Sequence, residues 1–310
     1  MGYARWSADD WTAYSSVTAG KATDDIFAAR RMKGEFDPAK ITVRESRDSI
    51  ANPNSNAIII ACDVTGSMGS LADNLVRHGI GTAFEEILKR LPVTDPHLMV
   101  MGVGDVTCDS APLQATQFEA DIRIAAQLEE IYIEHGGGGN NWESYNLPWY
   151  FAAQKTSIDC LEKRGKKGYL FTVGDEQVPE ALTRAQVKKA LNLDLQMERI
   201  ENRDLLTMVG RYYEVFHLMV EEGSHYQYQG DKVKRGWTDL LGQRAIPLAD
   251  HTKLAEVIVS TIEVCEGRDK RAVADSWDKA TALVVARAVS NLGASLVRRE
   301  SSASSGVVRF

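Results

Sequence analysis

The sequence has few of the features that mark secreted, membrane or zinc-binding proteins. Its four cysteines, Cys62, Cys108, Cys160 and Cys265, lie far apart and form no CxxC pair. That spacing suits neither a structural zinc site nor a disulfide-rich secreted scaffold. No apolar stretch approaches membrane-spanning length, and the first residues contain no apolar signal-peptide core. We therefore expect a cytoplasmic protein with reduced thiols and no membrane association.

The chain also lacks a strong basic run with interleaved aromatic residues, which is the pattern of many nucleic-acid-binding surfaces. Its formal net charge is −7, which argues against nucleic acid or an anionic membrane as the main partner. Hydrophobic residues make up 44% and charged residues 25% of the 310 positions, as in an ordinary globular protein. We expect neither a nucleic-acid partner nor a membrane partner.

Strand-like and helix-like patterns alternate along most of the chain. Apolar runs that predict buried strands occur at 57–62, 97–103, 168–173, 213–220 and 245–248. Pro247 confines the last of these to a sheet edge or strand end. Shorter strands are expected at 41–45 and 117–119. Helices are expected to begin near Ser7, Thr23, Glu143 and Thr183, and to cover 71–91, 120–131, 252–264 and 272–292. This alternation predicts an α/β fold with a doubly wound, mainly parallel, Rossmann-like sheet.

Composition divides the chain into four segments. Residues 57–265 contain the alternating pattern and form the expected main domain. Residues 1–56 are polar and mixed, which leaves open an extension folded onto that domain or a partly ordered arm. Residues 266–300 are expected to form a C-terminal helical segment, and the Ser-rich residues 301–310 a disordered tail.

The most informative stretch is Asp63-Val64-Thr65-Gly66-Ser67, which follows the first apolar run. It places one carboxylate and two hydroxyls at the carboxyl end of a central strand, where open α/β sheets bind ligands. Such hard oxygen donors suit Mg²⁺, Mn²⁺ or Ca²⁺ better than zinc. The stretch therefore predicts a divalent-cation site at Asp63, Thr65 and Ser67, with ordinary turn residues as the alternative.

Two later loops contain further oxygen donors. A run of glycines at 136–139 leads to Asn140, Asn141 and Glu143, and Asp175 and Glu176 follow the third long apolar run. Since the carboxyl ends of parallel strands share one edge, these loops can meet the first. Asp175 is expected to act on the cation through water, and a partner's acidic side chain to fill the remaining vertex of the octahedron.

Several other polar residues have competing interpretations. Asp105 and Asp109 follow a strand and are interpreted first as solvated loop acids, with a place at the rim of the site as the alternative. Glu143 and Glu176 are further rim candidates. His217 lies in an apolar strand, which indicates a satisfied core histidine rather than a ligand.

These motifs, in this order, resemble a von Willebrand factor A (vWA) domain over about residues 57–265. The stretch from Asp63 to Ser67 is similar to that family's metal-ion-dependent adhesion site (MIDAS), D-x-[ST]-x-S. More narrowly, the chain resembles intracellular A-domain proteins of bacteria and bacteriophages. The resemblance implies that Thr65 and Ser67 contact the metal and that Asp175 is the third-loop aspartate.

The second and third loops depart from the family pattern. Asn140 and Asn141 stand where the family usually has a threonine, so either an amide oxygen or Glu143 would have to supply this ligand. The segment from Thr172 to Asp175 is also spaced differently from the usual Thr-Asp-Gly.

The leading functional hypothesis is a binding module, not an enzyme, whose cation grips an Asp or Glu of a protein partner. By resemblance, a MoxR-type AAA+ ATPase is a candidate partner. An alternative is a Mg²⁺-dependent phosphotransfer enzyme, because the Asp63 stretch also resembles the nucleophile loop of haloacid dehalogenases and P-type ATPases. There Asp63 would be the nucleophile and Asp175 a Mg²⁺ ligand, with Lys166 or Lys167 as the downstream lysine. Val64 and Thr65 argue against that enzyme. A third hypothesis is a structural scaffold with a degenerate metal site.

Overall fold

The computed structural model describes residues 9, 29–66, 68, 80–133, 140–293 and 296. Ser67, His135, the glycines at 136–139 and the predicted tail lie outside the described residues, as do the predicted helix starts near Ser7 and Thr23 and part of the predicted helix 71–91. No helix in the described part of the chain combines the length and apolarity needed to cross a membrane.

Ten strands lie in the described residues. They are β1 (Arg44–Ser46), β2 (Asn56–Asp63), β3 (Pro96–Val103), β4 (Leu113–Ala115), β5 (Thr156–Ile158), β6 (Gly168–Gly174), β7 (Leu182–Thr183), β8 (Arg199–Ile200), β9 (Tyr213–Val220) and β10 (Ala245–Leu248). The main sheet has the order β10-β9-β6-β2-β3-β4, in which only β4 is antiparallel to its neighbour. Numbered among themselves, these six strands follow the doubly wound order 3-2-1-4-5-6. The predicted fold class is confirmed.

Helices cover both faces of this sheet. They are α1 (Ile80–Arg90), α2 (Arg123–Glu129), α3 (Asn146–Lys155), α4 (Asp159–Arg164), α5 (Arg184–Leu191), α6 (Asn202–Val209), α7 (Ser224–Leu241), α8 (Leu254–Cys265), α9 (Lys270–Asp275) and α10 (Lys279–Val289). In β2, Ile58 and Ile60 pack in the core shared with α1, α2 and α8 to α10. Ile59, between them, packs in the core shared with α3 and α5 to α7. Alternate residues of β2 point to opposite faces of the sheet, and both faces are buried. This explains why β2 is apolar along most of its length.

Two predicted helices are interrupted. The helix expected from Glu143 towards residue 161 begins only at Asn146 and ends at Lys155, and Thr156–Ile158 pairs in parallel with β1. The β-branched Thr156 and Ile158 favour this extended segment over a continuous helix. The helix expected at 272–292 is divided into α9 and α10, and Asp278 caps α10 by accepting from the backbone N–H groups of Ala280 and Thr281.

Two short strands lie a few residues from their expected positions. The strand expected at 117–119 is found at Leu113–Ala115, while Glu119 makes only an isolated bridge with Leu98. The strand expected at 41–45 is found at Arg44–Ser46. By contrast, the helix start at Thr183 is confirmed, with a capping box in which Thr183 and Gln186 satisfy each other's backbone.

The described part of residues 1–56 packs on the α/β domain. The Lys155 ammonium, at the end of α3, donates to the carbonyl oxygens of Pro38 and Ile41, each at 2.7 Å. Arg44 donates to the carbonyl oxygen of Ala115 at 3.0 Å, and Phe36 is buried. Residues 29–56 are therefore held against both α3 and the β4 edge of the sheet.

Candidate metal centre

The centre lies where the strand order of the sheet reverses. β2 and β6 are neighbours, yet the chain proceeds from β2 outward to β3 and from β6 outward to β9 on the opposite side. In doubly wound sheets, ligands bind in the crevice at the carboxyl ends of two such strands. Asp63 is the last residue of β2 and Asp175 follows the last residue of β6, and both are fully buried. The structure therefore brings two predicted ligands to this crevice.

Asp63 is held by hydrogen bonds on both carboxylate oxygens. Oδ1 accepts from the Thr65 backbone N–H at 2.9 Å and from the Thr65 hydroxyl at 2.6 Å. Oδ2 accepts from the Tyr145 hydroxyl at 2.6 Å. Burial and the nearby Asp175 carboxylate raise the pKa of Asp63, against the opposing effect of these hydrogen bonds. Thr65 is thus placed beside Asp63, as the motif predicted.

Asp175 and Tyr145 approach the backbone closely at two glycines. Oδ2 of Asp175 accepts from the backbone N–H of His225 at 2.8 Å. A Cβ at Gly223 would overlap the Asp175 side chain, and a Cβ at Gly174 would overlap the Tyr145 hydroxyl. Both positions therefore need glycine because of the close approach, a requirement that the sequence analysis did not identify.

The second loop turns Glu143 inward but not Asn141. Ser144 fastens the loop to the end of β3, since its N–H donates to the Gly104 carbonyl at 3.1 Å and its hydroxyl accepts from the Val106 N–H at 2.9 Å. Glu143 is only 2% exposed, and its Oε2 has no hydrogen-bond partner among the described residues. Asn141 is exposed. Of the candidates in this loop, Glu143 is the one with a buried oxygen still to be satisfied.

Asp105 and Asp109 are buried, so the interpretation of solvated loop acids was wrong. Asp105 is fully buried and accepts from the backbone N–H of Thr107 at 2.8 Å and from its hydroxyl at 2.6 Å. Asp109 accepts from the Asp105 backbone N–H at 2.7 Å. The physical reason is that both side chains replace backbone partners in the tight loop between β3 and β4. Asn140 joins this network by donating to Oδ2 of Asp105 at 2.5 Å.

The centre concentrates carboxyl groups away from water. The six carboxyl groups that lie there, each no more than 7% exposed, belong to Asp63, Asp105, Asp109, Glu143, Asp175 and Glu176. Burial and the charges of four neighbours, Asp63 first among them, raise the pKa of Glu143. No lysine or arginine among the described residues forms a salt bridge with Asp63, Asp105 or Glu143. Buried carboxylates without a compensating charge are costly, and a bound divalent cation would offset that cost. The donors present, hard oxygens throughout, fit such a cation.

Three aromatic rings lie beneath these acids, a grouping that no sequence pattern predicted. His217 stacks on Trp237 with ring centroids 3.5 Å apart, and Tyr145 contacts both rings edge-on. Nδ1 of His217 lies 2.9 Å from the Thr172 hydroxyl, and burial lowers the pKa of this histidine well below its ordinary value. The prediction of a core histidine is confirmed, but Nε2 of His217 has no hydrogen-bond partner among the described residues, so the histidine is not fully satisfied there. Trp237 donates to the Glu176 carbonyl at 2.9 Å, so the cluster supports two of the three loops.

A second group of potential ligands lies at the same edge, after β9 and β10. The group consists of Glu222, Asp250 and His251, each of which offers one potential ligand atom. These three atoms lie within 4.8 Å of one another. The Nδ1 atom of His251 is 2.7 Å from Oε2 of Glu222. Glu222 is exposed. The group is therefore open to water, unlike the centre at Asp63.

The lysines required by the phosphotransfer alternative lie at the wrong edge. Lys166 and Lys167 precede β6, whereas Asp63 lies at the carboxyl end of the parallel neighbour β2. Strands rise about 3.3 Å per residue, so the length of β6 separates these lysines from the crevice. Lys166 pairs with Glu266 at 3.0 Å and Lys167 with Glu214 at 3.6 Å. This arrangement contradicts a mechanism in which either lysine serves Asp63.

Comparison with known proteins found similarity to solved structures of low sequence identity. No family model matches the chain, and no curated protein matches it. Similar solved structures include the pilus adhesin SpaC from Lactobacillus rhamnosus GG in its open conformation (9% identity, 71% of this chain, 31% of that chain, TM-score 0.42). A second is the proximal thread matrix protein 1 from the mussel byssus (10% identity, 68% of this chain, 46% of that chain, TM-score 0.43). A third is a von Willebrand factor type A protein from Catenulispora acidiphila (14% identity, 67% of this chain, 42% of that chain, TM-score 0.39).

This chain spans less than half the length of each of those three structures. One of them carries the name of the family that the Asp63 motif resembles. Likenesses this distant carry nothing about ligands or partners. The fold class rests on the observed strand order of the sheet itself.

Proposed function

We propose that this chain is a vWA-type protein-binding module whose partner recognition depends on a divalent cation, Mg²⁺ or else Mn²⁺ or Ca²⁺. The observation that carries the proposal is the burial of Asp63 at the reversal of strand order, among further carboxylates and without a basic counter-charge in the described residues. Asp63, Thr65 and Asp175 would hold the cation, together with Ser67 of the same motif.

The bound cation would supply positive charge to which an oxygen donor of another protein can bind. A partner that presents an Asp or Glu side chain is the natural complement, because a carboxylate is a hard, charged ligand for such an ion. By the resemblance of the motif, a MoxR-type AAA+ ATPase remains the candidate partner. Both statements about the partner depend on the cation site.

Thermal unfolding with and without the cation tests the site. Wild-type protein should unfold at higher temperature in millimolar Mg²⁺, Mn²⁺ or Ca²⁺ than in chelator. A cation at a concentration of about 100 times its dissociation constant adds about 2.7 kcal/mol to the free energy of unfolding. Asp63→Asn should abolish this gain, since the amide keeps the shape of the carboxylate and removes its charge.

Asp250→Asn is the matched control, because Asp250 belongs to the other group of potential ligands. It should retain the cation-dependent gain. If the wild type gains nothing, or Asp63→Asn gains as much as the wild type, the cation site is refuted and the scaffold hypothesis remains. If only Asp250→Asn loses the gain, the cation binds at the exposed group instead.

A purified MoxR-type ATPase tests the partner. Binding measured by interferometry should require the cation and should be absent with Asp63→Asn. Binding that is the same in chelator would contradict cation-dependent recognition of this partner.

A further inference from the structure

We infer that Glu143 is a direct ligand of the cation and supplies the second-loop donor in place of the expected threonine, asparagine or other neutral group. The inference rests on the proposed cation site and concerns which residue completes it. In the sequence, Asn140 and Asn141 stand where the threonine is expected, and the inference gives its role as a ligand to the Glu143 carboxylate instead.

The side chain of Glu143 is buried, and one of its two oxygens lacks a hydrogen-bond partner in the described part of the chain. The residue is 2% exposed, and no described residue makes a hydrogen bond with its Oε2. A buried carboxylate oxygen without a partner bears a large desolvation cost. The adjacent residue, Tyr145, donates its hydroxyl to Oδ2 of Asp63 at 2.6 Å, so the buried Glu143 lies beside the crevice of the central ligand. A cation between the two carboxylates would satisfy both.

The other second-loop candidates have different surroundings from Glu143. The amide nitrogen of Asn140 donates to Asp105, and Asn141 is exposed, with its backbone carbonyl accepting from the Gln177 N–H at 3.2 Å. Asp105 itself accepts from Thr107 through both oxygens. These contacts tie Asn140 to Asp105 and leave Asn141 at the surface, whereas Glu143 has a buried oxygen without a hydrogen-bond partner among the described residues.

The residues that follow Glu143 fix it in place. Ser144 is hydrogen-bonded to Gly104 and Val106 at the end of β3, and Tyr145 is hydrogen-bonded to Asp63 at the end of β2. The loop is therefore attached to two neighbouring strands immediately after Glu143. A ligand anchored in this way loses little conformational freedom when it binds the ion.

A carboxylate at this position changes the character of the site. A neutral hydroxyl leaves most of the cation's charge for a partner, whereas Glu143 adds a full negative charge to the shell. The free chain should therefore bind the cation without any partner.

Manganese binding tests this inference, with Mn²⁺ alone as the probe. Free Mn²⁺ is measured by electron paramagnetic resonance, and water-proton relaxation reports the water molecules on the bound ion. Glu143→Gln should weaken Mn²⁺ binding by about tenfold or more. It should also raise the relaxivity of the bound ion, because water takes the position that the carboxylate leaves.

A further signature concerns the protein without the cation. In chelator, Glu143→Gln should unfold close to the wild-type temperature, because the contribution of a ligand to stability depends on the bound ion. Glu263→Gln is the control, as Glu263 is a fully buried acid outside this centre that pairs with Arg90 at 3.1 Å. It should leave the relaxivity of bound Mn²⁺ unchanged.

Each outcome is decisive. If Glu143→Gln binds Mn²⁺ with wild-type affinity and relaxivity while Asp63→Asn does not bind it, Glu143 is not a ligand and the proposed function stands. If the wild type itself binds no Mn²⁺, both proposals fail. Should Glu143→Gln not fold by circular dichroism, Glu143→Asp keeps the charge on a shorter side chain and must show the same weaker binding and higher relaxivity.

Discussion

The Tyr145 hydroxyl donates to Oδ2 of Asp63 at 2.6 Å, while Oδ1 of the same carboxylate accepts from Thr65. Tyr145 immediately precedes α3, and Asp63 ends the central strand β2. The orientation of the carboxylate is therefore fixed by two separate parts of the chain. A ligand positioned in this way needs little rearrangement to accept a cation.

Tyr145→Phe removes this hydrogen bond and keeps the ring. In chelator, the free energy of unfolding should fall by about 1–3 kcal/mol, because a buried carboxylate oxygen loses its donor. Urea unfolding followed by fluorescence measures the difference. Tyr150→Phe is the matched control on α3, since the Tyr150 hydroxyl makes no hydrogen bond with a described residue. This substitution should leave the free energy of unfolding nearly unchanged. Equal effects of the two substitutions would contradict a specific role for the Tyr145 hydroxyl.

Gly223→Ala places a methyl group where the Asp175 side chain lies. Overpacking of this kind costs about 1–3 kcal/mol, so the variant should be less stable and should lose cation-dependent stabilisation as Asp175 is displaced. Differential scanning calorimetry in chelator and in Mg²⁺ measures both effects.

Gly236→Ala, in α7, is the control for that substitution. Its Cβ would meet the Val178 Cγ2 atom at 3.4 Å, an ordinary contact, and alanine favours a helix by up to about 1 kcal/mol over glycine. It should be neutral or stabilising. A Gly223→Ala protein that binds the cation normally would show that the close approach to Asp175 is not required.

Lys155→Met tests the attachment of residues 29–56. The buried ammonium donates to the carbonyl oxygens of Pro38 and Ile41, and methionine leaves both without this donor. A loss of about 2 kcal/mol or more in unfolding free energy is expected, with faster proteolysis between residues 29 and 56. Lys163→Met, at a mostly exposed lysine, should have a much smaller effect. Unchanged proteolysis in Lys155→Met would show that other contacts hold the segment.

His97 predicts an acid-sensitive contribution to stability. Its side chain is fully buried beside the Ser46 hydroxyl, and burial lowers its pKa to about 4. The unfolded chain takes up the proton near pH 6.5, before the folded protein does. Stability from this group should therefore be complete above that pH and fall as the pH drops towards 4, by about 3 kcal/mol in total.

The measurement is urea unfolding of the wild type and His97→Asn from pH 4 to pH 7. The difference between their unfolding free energies should change with pH only within this window. The subtraction removes the contribution of the acidic centre, which has the opposite sign because the pKa values of Asp63 and Glu143 are raised. A constant difference across the window would contradict a neutral buried His97.

Local patterns were enough to predict the sheet. The apolar run at 213–220 coincides with β9, and the Pro247 argument placed β10 at the edge where it is found. Asp63 and Asp175 were predicted to meet because the carboxyl ends of parallel strands share an edge, and the strand order brings both to one crevice. These features depend on burial and strand direction, which sequence periodicity reports directly.

Contacts between distant segments were beyond such patterns. The break at Thr156 depends on pairing with β1, more than a hundred residues earlier in the chain. The burial of Asp105 follows from hydrogen bonds that fold one loop on itself and attach it to Asn140. The stacking of His217 on Trp237 joins a strand to a helix that the sequence analysis did not predict. In each case the partner residue, not the local sequence, determines the environment.

The two margins of the main sheet have a consequence for how this chain can associate. At the β4 margin, the N–H of Ala115 donates to the Phe36 carbonyl and the carbonyl of Ala115 accepts from Arg44, so both groups already have partners. The β10 margin is four residues long and contains Pro247, which has no N–H to offer. Neither margin favours the addition of a strand from another chain. This property protects a protein against amyloid-like association. Under the proposed function, a partner would therefore contact side chains and the loops at the carboxyl edge rather than add a strand to either margin.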